Sequence, residues 1–525
     1  MPSQSPQDLN PARELRLVLG DQLNAGHSWF ALPDSQVLYI MCELRSETDY
    51  ALHHVQKVVA FFMAMRLFAE RLLAAGHRVH YVRLDDEANT GSFADELWRI
   101  REATGATAWS WQMPDEWRLD AQMHEIARQW NAKGFQTHVV DSEHFLTERS
   151  DLAAHFAGKK TYLMESFYRM MRRKFNVLME PEDSPSGGEW NYDATNRKKL
   201  PKGHVPPHPM LWDRDPKEVV DMLTEQGVQT VGEIDMRSLG WPVTRAECLA
   251  LIDHFIAELL PRFGDFQDAM TRDSWVVYHS RLSFGMNVKL ISPLEVIQAI
   301  EACWRENPDH ADITQVEGFI RQILGWREYM RGIYWAQMPD YAGLNFFGHE
   351  RKLPRWFWTG ETHMACLRHT IRQTLDHAYA HHIQRLMVTG NFALLAGIDP
   401  DEVDAWYLGV YIDAIEWVEM PNARGMSQFA DGGIVGTKPY VASANYMKKM
   451  GPYCSDCRYQ AKEKTGPDSC PFNSFYWQFY DRHRDKLARN PRIGMAYRTW
   501  DKMDAQKRAE ILETAANHLE NLESL

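Results

Sequence analysis

At 525 residues the chain is too long for one ordinary domain and has the length of roughly three domains of about 150 residues, or of two large ones. Its 45% hydrophobic, 12% aromatic and 25% charged residues form a folded-protein balance that excludes a disordered, collagen-like or coiled-coil chain. The net charge of -13 excludes a uniformly basic nucleic-acid coat, yet leaves room for a local basic groove, because phosphate binding depends on where Lys and Arg cluster.

Residues 15–20, 37–43, 78–84, 108–112 and 137–142 read as strands, and residues 53–76 and 117–134 as helices ending at glycine. Strands with helical crossovers predict a parallel, doubly wound α/β domain over residues 1–145. Such sheets bind ligands outside the carboxyl ends of their strands, which puts Gly20-Asp21-Gln22 and Cys42-Glu43 at the expected mouth. Asp21 reads equally well as the cap of a turn. Residues 181–209, rich in Pro, Gly and polar side chains, mark a linker, set within an interdomain region over 146–215. Arg169, Arg172, Arg173, Lys174, Arg197, Lys198, Lys199 and Lys202 cluster there, as a solvated face or a phosphate contact. Beyond it, helical periodicity at 246–260, 315–335, 361–388 and 501–522 predicts a large all-α domain over 216–525. No run of about 18 apolar residues occurs, and the opening MPSQSPQDLNPARE lacks a signal peptide's layout, so no membrane and a cytoplasmic address are expected.

Seven cysteines are too few and odd in number for a disulfide framework. Cys454-Ser-Asp-Cys457 and Cys470-Pro471, with Cys366 upstream, suit a thiolate site for zinc or an iron-sulfur cluster, and the spacing leaves both open. Cys42, Cys248 and Cys303 read as core residues. The stretch 278–283, Tyr-His-Ser-Arg-Leu-Ser, leads towards the helix start at Ser292-Pro293 and offers hydroxyls and an Arg suited to a pyrophosphate. Trp356, Trp358, Trp406, Tyr407, Trp417, Tyr440 and Trp477 form an aromatic set that on pattern alone reads as core. The pair His381-His382 would point two ways on a helix, leaving one imidazole for proton transfer.

Together these motifs resemble the cryptochrome and photolyase family, specifically its iron-sulfur bacterial branch, the prokaryotic (6-4) photolyases. His279-Ser280-Arg281-Leu282-Ser283 resembles the family's flavin-phosphate motif, and Gly325-Trp326-Arg327-Glu328-Tyr329 its helix beside the flavin. Residues 406–407, 411–413, 421–426 and 438–440 resemble the flavin and lesion segment. The resemblance implies photolyase/cryptochrome architecture, with FAD bound by the 279–283 motif, Gln322, Trp326, Arg327, Asp413 and Asn422. It implies a 4Fe-4S cluster on Cys366, Cys454, Cys457 and Cys470, and 6,7-dimethyl-8-ribityllumazine as antenna beside Asp21, Glu43 and Glu116. Trp406 and Trp358, with Tyr407 as a later member, would pass electrons to the flavin, and His381, His382, Tyr440 and Met426 match the lesion pocket. The implied activity is light-dependent repair of (6-4) pyrimidine-pyrimidone photoproducts in UV-damaged DNA by a monomer, with His382 as proton donor and His381 orienting it. A blue-light receptor without repair, and a light-independent nucleic-acid-binding iron-sulfur protein, are the competing functions.

Overall fold

The computed structural model describes residues 9–159 and 161–525. Residues 1–8, part of the opening that lacks a signal peptide's layout, lie outside the described residues. Among the described residues no helix is long and apolar enough to cross a membrane.

Five strands, β1 (Glu14–Leu17), β2 (Val37–Cys42), β3 (Val79–Val82), β4 (Ala108–Gln112) and β5 (Gln136–Val140), form one parallel sheet in the order β3-β2-β1-β4-β5. Every residue of β2, β3 and β4 is buried, as expected of strands covered on both faces, whereas β5 at the edge keeps exposed positions. The chain winds outward from β1 to β3 and then returns to lay β4 on the other side of β1. The topological switch point therefore lies between β1 and β4, and that is where such a sheet opens a crevice.

The helices Val55–Ala74 and Trp117–Ala132 stand where the periodicity places them. A third, Phe93–Thr104, escapes that pattern, although Ser92 caps its start and Gly105 ends it in the left-handed conformation at φ 70. One apolar core runs from one face of the sheet into the helical half of the molecule, and a second lies under the helices Phe93–Thr104 and Trp117–Ala132. Lys289 ties the halves together. Fully buried, its Nζ donates to Asp115 Oδ2 at 2.6 Å and to the backbone oxygen of Asp21 at 2.6 Å.

Residues 146–215 contain the helix Met164–Phe175, which packs against residues 321–327, and the short hairpin Met179–Glu180 with Ser184–Pro185. Arg172, grouped in sequence with phosphate-contact candidates, has no access to solvent. Its guanidinium donates to the carbonyls of Trp190, Val177 and Leu178 and so holds the chain that follows the helix. Arg169 is half-buried and Arg173 and Lys174 are exposed, paired with Glu165, Asp183 and Asp151 respectively.

Two long periodic stretches are not continuous α-helices. Residues 313–337 run as Ile313–Ile320, a wide π-helical turn Arg321–Arg327, and Glu328–Gln337. The helix Ala365–His377 stops at Ala378, whose φ of 52 is left-handed, and regular structure resumes only at His382–Gln384 and the π-helical turn Arg385–Gly390. The two histidines therefore sit at a helix entrance, not on a helix face.

Candidate active site: two cavities and a cysteine cluster

A cavity of about 320 Å³ opens in the helical half. The turn after His279 supplies Ser280, Arg281 and Ser283 to its wall, and Arg281 adopts the sparsely populated left-handed backbone at φ 57. Gln322, Trp326 and Arg327 reach the wall from the π-helical turn Arg321–Arg327, Asn422 from a second such turn, Pro421–Ser427, and Arg385 from a third. A π-helical turn widens the helix locally and is frequent at functional sites. Of the residues expected to hold FAD, namely the 279–283 motif, Gln322, Trp326, Arg327, Asp413 and Asn422, only Leu282 lies off the wall, packed in the core.

The charge arrangement of this cavity is not legible in the sequence. Asp413 receives two nitrogens of Arg385 (2.9 and 3.2 Å) and the Ser283 hydroxyl (2.7 Å), while Asn287 donates to its backbone oxygen at 2.7 Å. Burial alone raises the Asp413 carboxyl, but Arg385 and Ser283 overcome it and leave its pKa below the ordinary value. Arg281 and Arg327 are buried cations on the same wall, each pushed down to about 10 by desolvation. Arg281 Nη1 and Arg327 Nε and Nη1 have no hydrogen-bond partner among the described residues. Buried guanidiniums with spare donors are an expensive arrangement unless an anion completes them.

His382 stands exposed on the cavity wall, and His381 is buried behind it with its ring stacked on that of His279, centroids 4.9 Å apart at 9°. His279 is pushed down to about 4 by burial, with its Nε2 against the Gln267 carbonyl at 3.0 Å, and both ring nitrogens of His381 lack hydrogen-bond partners among the described residues. Desolvation by the surrounding protein and the charge of Arg385 lower the pKa of His382; water in the cavity relieves part of the first effect and leaves the downward direction. Met426 and Tyr440 do not line this cavity. Met426 is buried, and Tyr440 is half-buried within the fields of Arg197, Arg492 and Asp193. Arg197, one of the charges acting on Tyr440, lies 3.6 Å from Asp268, a wall residue.

Tyr407 and Tyr411 form the wall nearest the aromatic set. Trp406, fully buried behind them, touches Tyr407 (5.3 Å between centroids), Tyr411 (5.7 Å) and Phe357 (5.2 Å), and Phe357 stacks on Trp356. Trp358 caps the same short turn, Arg355–Phe357, and is half-buried.

A second cavity of about 110 Å³ opens at the switch point of the sheet. Asp21 and Glu116 line it with Lys57, whose Nζ donates to the carbonyls of Leu408 (2.7 Å) and Ala414 (2.8 Å). Burial, then repulsion from Glu416, pushes Glu116 up to about 7. Glu43 is not brought to this cavity. It is fully buried under β2, clamped by Arg66 at 2.7 and 3.0 Å, with Tyr81 Oη and the Leu84 backbone nitrogen donating to it as well, so its oxygens are already used. Ala414 borders both cavities, one residue from Asp413.

Cys366, Cys454, Cys457 and Cys470 converge on a third space of only about 10 Å³, walled by Met364, Tyr453, Tyr459 and Phe472. Burial raises the Cys366 thiol, and the other three cysteines add to the rise. Among the described residues no three His, Cys, Asp or Glu side chains stand in position around a single metal ion. Cys42 and Cys248 are buried and Cys303 half-buried, all away from this space.

A parallel sheet joined to a helical half around a deep cavity is the architecture of photolyases and cryptochromes. The structure superposes on a Synechocystis cryptochrome with a TM-score of 0.60 (12% identity, 84% of this chain and 86% of that one). With a bacterial class III photolyase from Agrobacterium tumefaciens the TM-score is 0.57 (15% identity, 98% of this chain and 99% of that one). Residues 16–239 match the family of the deoxyribodipyrimidine photo-lyase-related protein. Over 513 residues the chain is 45% identical to a (6-4) photolyase of Agrobacterium fabrum, spanning 97% of this chain and 100% of that one. The chain belongs to the photolyase family, with that (6-4) photolyase as a full-length relative.

Proposed function

We propose that this protein is a light-dependent DNA-repair enzyme acting on (6-4) pyrimidine-pyrimidone photoproducts, a monomer of the cytoplasm. The observation that carries the proposal is that the 279–283 turn, Gln322, Trp326, Arg327, Asp413 and Asn422, far apart in sequence, share one cavity with His382 on its wall. The name of the 45% identical relative supports repair over signalling.

FAD fits the larger cavity: Arg281, Ser280 and Ser283 would hold its phosphates, the orphaned Arg281 nitrogen being a ready donor, and Arg327, Asn422 and the Arg385-Asp413 pair would hold its ring system. When bound, FAD supplies the photochemical electron that the lesion receives and returns. Arg385 keeps Asp413 ionised, Tyr407 anchors its hydroxyl on the Arg385 carbonyl at 2.6 Å, and His382 offers a proton towards the cavity. A lesion reaches this depth only when flipped out of the duplex, which costs less for a damaged, poorly stacked base. Asp21, Glu116 and Lys57 suit the polar edge of a lumazine in the smaller cavity. The donor set of four thiols in an apolar wall, free of carboxylates and imidazoles, suits a 4Fe-4S cluster that would widen the present space.

Purified protein is expected to show flavin bands with a lumazine shoulder and broad iron-sulfur absorption, and to restore (6-4)-damaged oligonucleotides only under blue light. A flavin-loaded preparation that leaves the lesion intact in the light overturns the repair function.

Trp406→Phe is expected to slow or abolish photoreduction of oxidised FAD while FAD stays bound, because Phe keeps most of the packing but is far harder to oxidise. The indole Nε1 donates to the Phe357 carbonyl at 3.0 Å, so the variant also strands one buried acceptor, at about 1–3 kcal/mol. Loss of repair by the chemically reduced variant would instead make Trp406 a lesion or flavin contact.

A further inference from the structure

A basic stretch lies outside every motif above: Arg482, Arg484, Lys486, Arg489 and Arg492 fall within eleven residues, from the end of the helix Pro471–Arg482 onward. Arg484 is spent on Asp501, but Arg482 and Lys486 line an open pocket of about 550 Å³ together with Arg351, His349 and His483. The two guanidiniums meet over Gly397, which ends a helix at φ 76. A Cβ built there would stand 2.9 Å from Arg482 Nη1 and 3.1 Å from Arg351 Nη1. Like charges this close repel unless a counter-charge sits between them. Among the described residues no carboxylate forms an ion pair with either guanidinium, although the exposed Glu350 and Asp485 lie on the pocket rim. Arg351 uses one donor on the Ala396 carbonyl (3.0 Å), a helix-end contact that leaves the rest of its fork free.

The histidines compound the imbalance. His349 and His483 are both buried, their Nε2 atoms are 3.1 Å apart, and Arg482 points Nε at one (3.0 Å) and Nη2 at the other (3.3 Å). With both rings protonated at Nδ1, each Nε2 lone pair accepts one Arg482 N–H, so the imidazoles hold the guanidinium in place but give it no counter-charge. Desolvation and the neighbouring cations hold both imidazoles neutral, with His349 pushed down to about 2 and His483 to about 3.

We propose that this pocket binds a phosphate group, with Arg351 and Arg482 as its fork and Lys486 as its point charge. The phosphate of a DNA backbone and free inorganic phosphate share that chemistry. The backbone is favoured by position: Asn490 donates to the Thr437 carbonyl at 3.0 Å, and the charge of Arg492 reaches Tyr440, as does that of Arg197, the partner of the cavity-wall residue Asp268. The basic stretch thus runs from the Thr437–Tyr440 segment to the pocket. The duplex source rests on the repair function proposed above, whereas the site itself does not.

The test uses the full-length protein with two probes, inorganic phosphate by calorimetry at constant ionic strength and an undamaged DNA duplex over a salt series. Neither readout needs light, cofactor or repair. The double variant Arg351→Gln, Lys486→Gln removes two cations that are exposed on the pocket rim, and its far-UV spectrum and melting curve are recorded alongside. Wild type is expected to bind phosphate saturably, and the variant at least tenfold more weakly. If the phosphate belongs to the duplex, the variant's log-log salt slope is also shallower by about 0.9 for each DNA phosphate it no longer neutralises; an unchanged slope with abolished phosphate binding assigns the site to free phosphate. Should the double variant melt early, Lys486→Gln alone and the wild-type phosphate titration decide. No saturable phosphate binding by wild type, together with an unchanged salt slope in either variant, overturns the site.

Discussion

Cys454→Ser is expected to give little soluble protein and almost no bound iron. Cys454 comes from the short turn Tyr453–Ser455, Cys366 from the first turn of the helix Ala365–His377, and Cys470 caps the helix Pro471–Arg482, so one metal site would tie three elements at one point. A closed metal site contributes its binding free energy directly to folding, and a serine hydroxyl is a poor substitute for a thiolate on a soft metal. The damage would spread to the large cavity. The helix that begins beside Cys366 carries Gln373, whose amide exchanges hydrogen bonds with that of Gln384 at 2.9 and 3.0 Å, and Gln384 in turn accepts from the His381 backbone nitrogen. Cys303→Ser, a change at a half-buried thiol away from the site, should keep both yield and iron. Soluble yield, iron and acid-labile sulfide per chain are the measurements; normal values for Cys454→Ser would remove it from the ligand set.

Local signals carry the sheet and the cavity motifs, and long-range partners decide what those signals leave out. The strand runs of residues 37–42 and 108–112 are readable because a parallel sheet buries both faces. The helix Phe93–Thr104 is as legible as Trp117–Ala132, since Phe93, Leu97, Ile100 and Thr104 share one buried face between the cap Ser92 and the terminating Gly105, a signal that the reading from strands and long helices leaves unused. Glu43 stands at the end of a strand, as Asp21 nearly does, but its neighbours Cys42 and Leu44 face the cavity while Glu43 alternates to the opposite side, where Arg66, 23 residues further on, takes its charge. Arg385 is silent in the sequence for the same reason: its meaning lies in Asp413, 28 residues away, brought close by a π-helical turn that periodicity does not announce. Arg172 shows the converse case, a basic run in which one member points inward and spends its donors on carbonyls.

The largest catalytic effect is expected of His382→Ala. Of the two adjacent histidines it is His382 that is exposed on the cavity wall, because the break at Ala378 turns His381 inward onto His279. If its imidazole is the general acid, repair should fall on the order of a hundred- to ten-thousand-fold even with chemically reduced flavin. Affinity for damaged DNA at fixed salt should change far less, since phosphate contacts elsewhere dominate it. The pH dependence carries a sign. Desolvation and Arg385 place the His382 pKa below the ordinary value of about 6.5, so the protonated form is scarce at neutral pH and repair should weaken as pH rises. Stability runs the other way. His279 and His381, also lowered, bind fewer protons in the folded than in the unfolded chain below about pH 6.5, so the fold loses stability as pH falls towards about 4. A purely packing role for His382 would make the Ala variant lose FAD, DNA affinity and repair together. Measuring bound FAD, DNA affinity and light-dependent repair on one preparation separates the cases, and near wild-type repair would pass the acid role to His381 or Tyr440.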